Sequence, residues 1–269
     1  MKRLIIRPGA IGDCILSLPA LEHLKTDYTE LWVPSPVVPL IQFADEVRSI
    51  SATGLDLLGI HGVDASAWLR TQIESFDEIV SWYGFARPDF RTALESFGVP
   101  CAFLPALPLS ANLHATDFFA QSVGASSGLL PRLCVQPGER RIRAVIHPFS
   151  GGLRKNWPRE FFRALAARLP LPVEWTAGPE ETLPGATRFD NLFELAGWLA
   201  GAKLYIGNDS GVTHLAAATG MPTLALFGPT APRQWAPRGG NVLVLHHEPL
   251  TELPVESVLD AANRLLGSP

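Results

Sequence analysis

The feature that most constrains the fold is a repeated alternation of short apolar runs with stretches of helical periodicity. Strand candidates are residues 3–7, 30–34, 78–84, 143–148, 172–178, 203–207, 222–228 and 241–247. Helical stretches lie between them, for example at 158–169, 191–201 and 211–219. Continuous apolar strands that alternate with helices are typical of parallel sheets covered on both faces. The pattern therefore predicts an α/β protein with doubly wound sheets.

The alternation restarts after residues 135–141, a segment rich in proline, glycine and charge. Such segments favour domain boundaries. We therefore predict two Rossmann-like domains, 1–136 and 137–269, facing a central cleft. Ligands of these sheets bind at the carboxyl ends of the strands. The last helical stretch, 254–266, could pack back on the first domain.

Composition excludes several classes of protein. The chain has 269 residues, of which 47% are hydrophobic and 18% charged, as in globular proteins. No apolar run approaches the roughly 20 residues of a membrane-spanning helix, and the start lacks the apolar core of a secretory signal. Three scattered cysteines without a Cys-x-x-Cys pair favour neither a disulfide framework nor a zinc site. We expect a cytoplasmic protein, with at most peripheral contact at the inner face of the membrane.

Charge is distributed unevenly along the chain, whose net charge is −4. Residues 28–110 carry four basic and ten acidic side chains, whereas residues 137–170 carry eight basic and two acidic ones. A local positive field favours an anionic ligand. We therefore expect the anionic ligand in the second half, and the acidic balance overall disfavours nucleic acid.

The segment "NDSGVTHLAAATG" follows the strand candidate 203–207 directly. Asp209, Ser210 and Gly211 supply turn chemistry, and a helix is predicted to begin near Gly211. Its first N–H groups would carry partial positive charge, and Gly211 would allow a ligand close to the backbone. This arrangement suits a phosphate. The alternative is that Asp209 or Ser210 is only the N-cap of the helix.

A second loop of this kind is "HPFSGGLRKNWP", residues 147–158. Ser150 and Gly151 offer a hydroxyl and accessible backbone, and Lys155 offers a point charge suited to a diphosphate. A solvated basic loop is the alternative. Because both loops follow strands of one domain, a shared diphosphate site is the better interpretation.

The loop after the first strand, "RPGAIGD", contains Gly9, Gly12 and Asp13. It differs from the Gly-x-Gly-x-x-Gly dinucleotide pattern. Asp13 is expected near a helix start, facing the cleft, or as a simple helix cap. Pro19 within the helical pattern predicts a kink or a break.

Two further residues are candidates for ligand contact. Thr230, in the loop 227–237, is expected to face the ligand. Glu180, at the end of the strand candidate 172–178, could accept both hydroxyls of a ribose or simply be solvated.

Four motifs together resemble glycosyltransferase family 9, the heptosyltransferase family of lipopolysaccharide synthesis. They occur in the family's order as Gly12-Asp13 with "LPAL" (18–21), "KNWP" (155–158), "DSGVTHLAAA" (209–218) and "FGPT" (227–230). Together they extend over most of the chain. Four motifs in the right order are far more specific than any one of them.

The resemblance implies a GT-B fold, with acceptor on the N-terminal domain and nucleotide sugar on the C-terminal one. It implies inverting, metal-independent transfer, without a cofactor, from a donor of the ADP-heptose type. By motif position Asp13 is the general base, and Ser150, Gly151 and Lys155 contact the diphosphate. Further donor contacts fall on Asp209 for sugar hydroxyls, the amides of Ser210 and Gly211 for phosphate, His214 as loop support and Glu180 for ribose.

Metal independence is also consistent with the residues, since no Asp-x-Asp pair is present. The acidic, shortened first half departs from the basic surface expected for phosphorylated acceptors, so the resemblance constrains the donor more than the acceptor. The expected partners are a nucleotide-diphosphate sugar and a saccharide or lipid-linked acceptor.

Two other functional classes fit the same two-domain fold. One is a nucleotide-sugar epimerase or hydrolase, which would turn over donor without acceptor. The other is a non-catalytic nucleotide-sugar-binding protein, which the presence of both Asp13 and Lys155 disfavours.

Overall fold

The computed structural model describes residues 1–109 and 111–267, and the chain divides into two compact units. Unit 1 comprises Met1–Ser110 and Ala115–Leu129, and unit 2 comprises Ala111–His114 and Leu130–Pro269. Residues 111–114 therefore belong to unit 2, residues 115–129 belong to unit 1, and the chain belongs to unit 2 again from Leu130 onward. The domain limits 1–136 and 137–269 stay a prediction.

Unit 1 is built on a five-stranded parallel sheet in the order β3-β2-β1-β4-β5. This is the strand order of Rossmann folds, which changes direction between β1 and β4. Leu4, Ile5 and Ile6 of the central strand are fully buried. The strands are β1 (Lys2–Ile6), β2 (Tyr28–Val33), β3 (Glu46–Ser49), β4 (Glu78–Ser81) and β5 (Cys101–Phe103).

In the described part of unit 1, four α-helices accompany this sheet: α1 (Ile11–His23), α2 (Ala67–Glu74), α3 (Pro88–Glu95) and α4 (Ala115–Ser122). Pro19 lies inside α1, and the helix continues to His23, so of the two predicted outcomes the break is wrong and the kink stays a prediction. Leu18, Pro19 and Ala20 are all buried, and α1 packs along α4. This packing holds the helical path although proline removes one backbone hydrogen bond.

Unit 2 contains a second five-stranded parallel sheet, in the order β10-β9-β8-β6-β7. Counted within the unit this is the doubly wound order 2-1-3-4-5, which changes direction between β6 and β8. The strands are β6 (Ala144–His147), β7 (Val173–Trp175), β8 (Leu204–Asn208), β9 (Thr223–Phe227) and β10 (Val242–His246). All eight predicted strands are confirmed, and β3 and β5 are additional.

The helices of unit 2 are α5 (Arg159–Ala166), α6 (Leu192–Ala200), α7 (Gly211–Ala218), α8 (Pro232–Trp235) and α9 (Val255–Gly267). The apolar face of α9 is buried in the core of unit 2, against α5 and strands β8 to β10. The sequence had allowed this last helix to pack on the first domain. Its regularly spaced buried residues Val258, Ala261, Ala262 and Leu265 are instead used within its own unit.

A helix that crosses a bilayer needs about 20 predominantly apolar residues. None of the helices described over residues 1–109 and 111–267 is long and apolar enough to cross a membrane.

Candidate active site

The second sheet changes direction between β6 and β8, and this switch point is where a doubly wound sheet opens a crevice. His147 and Gly207 are partners at the carboxyl end of the ladder, so the loops that follow both strands start side by side. Asn208 joins them. Its Oδ1 accepts the N–H of Trp157 at 3.0 Å, and its Nδ2 donates to Asn156 Oδ1 at 3.3 Å. The two loops that the sequence predicted to share a ligand are thus held together by hydrogen bonds.

Lys155 and Asp209 form an ion pair across the same two loops. Lys155 Nζ lies 2.7 Å from Asp209 Oδ2. The Asp209 side chain is 8% exposed, whereas that of Lys155 is 37% exposed. The carboxylate is therefore the buried partner and the ammonium the accessible one. Since an ammonium has three donors, Lys155 can hold Asp209 and still donate to an anion.

Helix α7 begins immediately after this pair. Ser210 precedes it in extended conformation, but its side chain makes no capping hydrogen bond; its Oγ lies 3.2 Å from Thr213 Oγ1. Thr213 Oγ1 in turn donates to the carbonyl of Asn208 at 2.5 Å. Thr213 N–H donates to the carbonyl of Ser210 at 3.1 Å and is the first helical amide with an intrahelical acceptor. The amides of Gly211 and Val212 come before it and lie at the positive end of the helix dipole. These amides can bind a phosphate oxygen.

Tyr205 and Gly207 lie on the same face of β8 and shape the strand end. A Cβ at position 207 would lie 2.4 Å from the Tyr205 hydroxyl, so glycine is required there. That hydroxyl reaches Thr213 Oγ1 at 3.1 Å. Tyr205 is fully buried, and burial raises the pKa of its hydroxyl. The neutral tyrosine hydroxyl thus stabilises the first turn of α7 through its hydrogen bond with Thr213.

The other residues of unit 2 that were predicted to contact the donor substrate differ in their hydrogen bonds and exposure. The Ser150 hydroxyl lies 2.8 Å from Asn156 Oδ1 and so serves its own loop. Gly151 is exposed, and a side chain there would meet nothing within 4 Å. His214 is buried in the first turn of α7, and Thr230 is half-buried in the loop after β9.

Glu180, the predicted ribose ligand, is exposed on the turn after β7. Its neighbour Glu181, which the sequence analysis did not single out, is held in place. Glu181 Oε2 accepts the N–H of Gly178 at 2.6 Å and lies 3.0 Å from His147 Nε2. Burial alone would raise the pKa of Glu181, but the hydrogen bonds from His147 and Gly178 outweigh it and lower the pKa below its ordinary value. The sequence signal that could have indicated this pair is His147, a histidine at the end of a buried strand.

Asp13, the predicted base, lies in unit 1 as the third residue of α1. Its Oδ2 accepts the N–H of Ala10 at 3.0 Å. Gly9 has φ +123°, and a Cβ there would lie 3.0 Å from Asp13 Cβ, so only glycine suits this turn. Gly12 precedes Asp13 in the first helical turn. Asp13 therefore caps α1 through Oδ2, and among the described residues no hydrogen bond reaches Oδ1 of this half-buried carboxylate.

Arg7 lies beneath the same loop and is fully buried. Its guanidinium donates to the carbonyls of Pro8, at 2.7 Å, and of Asp13, at 3.1 Å. It also lies 4.4 Å from the centroid of the Phe119 ring. Burial lowers the pKa of Arg7. This buried cation fixes the backbone that carries Asp13.

Known proteins match this chain in sequence. The model of glycosyltransferase family 9 (heptosyltransferase) matches residues 180–261. Lipopolysaccharide heptosyltransferase 1 of Pseudomonas aeruginosa is 38% identical over 93 residues, which are 29% of this chain and 26% of that protein. Lipooligosaccharide heptosyltransferase 2 of Haemophilus influenzae is 28% identical in a match that covers 99% of this chain and 100% of that protein.

Solved structures match over the whole chain. An ADP-heptose lipopolysaccharide heptosyltransferase II from E. coli has a TM-score of 0.77 at 17% identity, covering 99% of this chain and 98% of that one. An E. coli heptosyltransferase solved with ADP has a TM-score of 0.70 at 19% identity, covering 98% and 100%. At these identities the likeness shows the fold.

The two Rossmann-like units, each with a five-stranded parallel sheet, give this chain the GT-B fold of these solved heptosyltransferases. In sequence the chain is similar to glycosyltransferase family 9, the heptosyltransferase family, through the match over residues 180–261 and the full-length similarity to the Haemophilus influenzae protein.

Proposed function

We propose that this protein is an inverting, metal-independent glycosyltransferase that transfers heptose from ADP-heptose to a saccharide or lipid-linked acceptor in lipopolysaccharide synthesis. The observation that carries the proposal is the Lys155–Asp209 pair, at 2.7 Å, beside the N-terminus of α7. It combines an accessible cation, a buried carboxylate and backbone amides at one switch point. These are the groups that a nucleotide-diphosphate sugar requires.

The diphosphate binds to Lys155 and to the amides of Ser210 and Gly211, with the amide of Val212 next to them. Ser150 and Gly151 border it from the loop after β6. When the bond between the sugar and the diphosphate breaks, negative charge develops on the leaving phosphate. Hydrogen-bond donors held in fixed positions around that charge stabilise the transition state and lower the barrier to transfer. In metal-dependent enzymes a metal ion stabilises this charge.

Asp209 accepts hydroxyls of the donor sugar, since a carboxylate forms strong charge-assisted hydrogen bonds with them. His214 supports the same loop, and Thr230 borders the donor from the loop after β9. For the ribose, Glu180 is the residue that the family resemblance indicates, but its side chain is exposed. The fixed and half-buried Glu181 offers the better placed carboxylate.

Asp13 takes the proton of the acceptor hydroxyl as its oxygen attacks the anomeric carbon. The carbon–oxygen bond to the nucleotide diphosphate breaks on the opposite side, so the anomeric configuration inverts. The acceptor is assigned to unit 1. We place the reaction in the cytoplasm, with at most peripheral contact between the protein and the membrane.

The test is a transfer assay with purified protein, ADP-heptose and a lipid-linked saccharide acceptor, with the product detected by mass spectrometry. We expect product that depends on acceptor and persists in EDTA. Release of ADP at the same rate without acceptor would identify a hydrolase. Binding without turnover of any nucleotide sugar in a thermal-shift and activity panel would identify a binding protein.

A further inference from the structure

Glu181 is held at one of its two carboxylate oxygens. Oε2 accepts the Gly178 N–H at 2.6 Å and lies 3.0 Å from His147 Nε2. Arg188 adds a hydrogen bond to the backbone carbonyl of Glu181 at 2.5 Å. Both the backbone and the side chain of Glu181 are thereby fixed.

The second oxygen, Oε1, has no hydrogen-bond donor among residues 1–109 and 111–267, and the Glu181 side chain is 27% exposed. An ionised carboxylate is an acceptor only. This oxygen therefore presents a fixed acceptor to solvent at the carboxyl edge of the sheet. A hydroxyl group fits it, whereas a phosphate oxygen would be repelled.

His147 is an unusual choice for the end of a buried strand. Its side chain is 4% exposed, and its Nδ1 is buried with no hydrogen-bond partner among the described residues. Because the ionised carboxylate can only accept, Nε2 must carry the hydrogen. Phe149 packs edge-on at 5.8 Å between centroids and restricts the imidazole. An apolar side chain would fill this space without an unsatisfied nitrogen, so packing alone does not account for histidine.

The strand order connects this pair with the donor site. Glu181 follows β7, Lys155 follows β6 and Asp209 follows β8, and these strands are adjacent in the order β8-β6-β7. Neighbouring strands lie about 4.8 Å apart. The ribose of a nucleotide whose diphosphate binds at the β6 and β8 loops can therefore reach the loop after β7. Carboxylates in this position of doubly wound sheets bind ribose hydroxyls.

We propose that His147 is a positioning residue for ribose recognition: it donates Nε2–H to Glu181 Oε2 and so orients Oε1 to accept a ribose hydroxyl of the donor nucleotide. This inference rests on the proposed function, because it requires a nucleotide-diphosphate ligand. Glu180, exposed and one residue away, takes no part in it.

The experiment compares the dissociation constants of ADP and 2′-deoxy-ADP by calorimetry, with 3′-deoxy-ADP as a second probe. The variants are His147→Leu, which removes the donor, His147→Gln, whose amide can replace it, and Glu181→Gln. Glu180→Gln is the matched control. We expect the wild type and Glu180→Gln to prefer ADP over at least one deoxy analogue by about tenfold or more, as for a hydrogen bond to a charged group. His147→Leu and Glu181→Gln should prefer it by less than about twofold, and His147→Gln should recover most of the preference.

Each contrary result has a definite meaning. Failure of the wild type to bind ADP or any other nucleoside diphosphate overturns the proposed function and this inference together. Binding without any preference for the ribose hydroxyls overturns the inference alone. A preference for ADP that remains in His147→Leu also overturns the inference. Equal loss of the preference in His147→Leu and His147→Gln, with the same fall in Tm, overturns it as well. If His147→Leu does not fold, retention of the preference in Glu181→Gln overturns it equally.

Discussion

Lys155 Nζ lies 2.7 Å from Asp209 Oδ2, which links residues 54 positions apart across the switch point of the second sheet. The pair sets the cation of one loop at a fixed distance from the first turn of α7, which begins two residues after Asp209. Neither residue alone distinguishes a ligand site from a helix cap or a solvated loop. The contact between them favours a ligand site, because it holds an accessible cation beside backbone amides.

Replacing Lys155 with alanine should weaken nucleotide-diphosphate binding by about 1.5–3 kcal/mol, the range for a hydrogen bond to a charged group. Calorimetry with ADP measures the change. Arg154→Ala is the matched control, because the Arg154 side chain is 82% exposed and pairs with Glu248. Equal affinities of the Lys155 variant and the wild type would remove Lys155 from the site.

Replacing Asp13 with asparagine should lower the rate of transfer by about 10²–10⁴-fold, since it removes the general base. The amide oxygen of asparagine can still accept the Ala10 N–H, so Tm and donor binding should change little. Steady-state transfer rates and thermal melts test this together. A variant that melts early but transfers at the normal rate would restrict Asp13 to capping α1.

Replacing Asp209 with asparagine should reduce discrimination between ADP-heptose and ADP. The variant loses the charge-assisted bonds to the sugar hydroxyls but keeps the size of the side chain. The quantity to measure is the ratio of the two dissociation constants, which should fall toward one. If the ratio is that of the wild type, the sugar is recognised by other residues.

Replacing Gly207 with alanine should destabilise unit 2 by about 1–3 kcal/mol, as for overpacking of a core. The new methyl group would lie 2.4 Å from the Tyr205 hydroxyl and would displace the ring that supports Thr213. Chemical denaturation measures the loss. Gly240→Ala is the control, because a side chain there meets nothing within 4 Å. Equal stability of both variants would show that Tyr205 moves aside without cost.

Sequence reasoning reached most of the fold because the buried strands are continuous apolar runs. It missed β3 and β5, the edge strands of the first sheet. Edge strands are covered less completely and need fewer apolar residues: β3 is "EVRS", with every residue half-buried, and β5 has only three residues. Neither has the composition of a core strand.

For the candidate site, the sequence identified the loops but not the contacts between them. Lys155 and Asp209 were singled out separately from local turn chemistry, whereas their pairing depends on the order of the strands. His147 and Glu181 were missed for the same reason, since they come together only because β6 and β7 are neighbours. Periodicity and turn chemistry are local signals and do not report which strands are adjacent.

The short excursion of Ala111–His114 into unit 2 has a practical consequence for dividing this protein into fragments. His114 Nε2 lies 2.9 Å from the carbonyl of Ala236, and the amide of Leu133 donates to the carbonyl of Ala218 at 2.9 Å. A fragment that starts at residue 137 would lose both anchors, and one that starts at Leu130 would still lack the first. Any fragment that starts at or before Ala111 would also carry α4, which packs on α1 of unit 1. No single cut of the chain therefore releases either unit intact, and two-fragment complementation is a better design than expression of isolated halves.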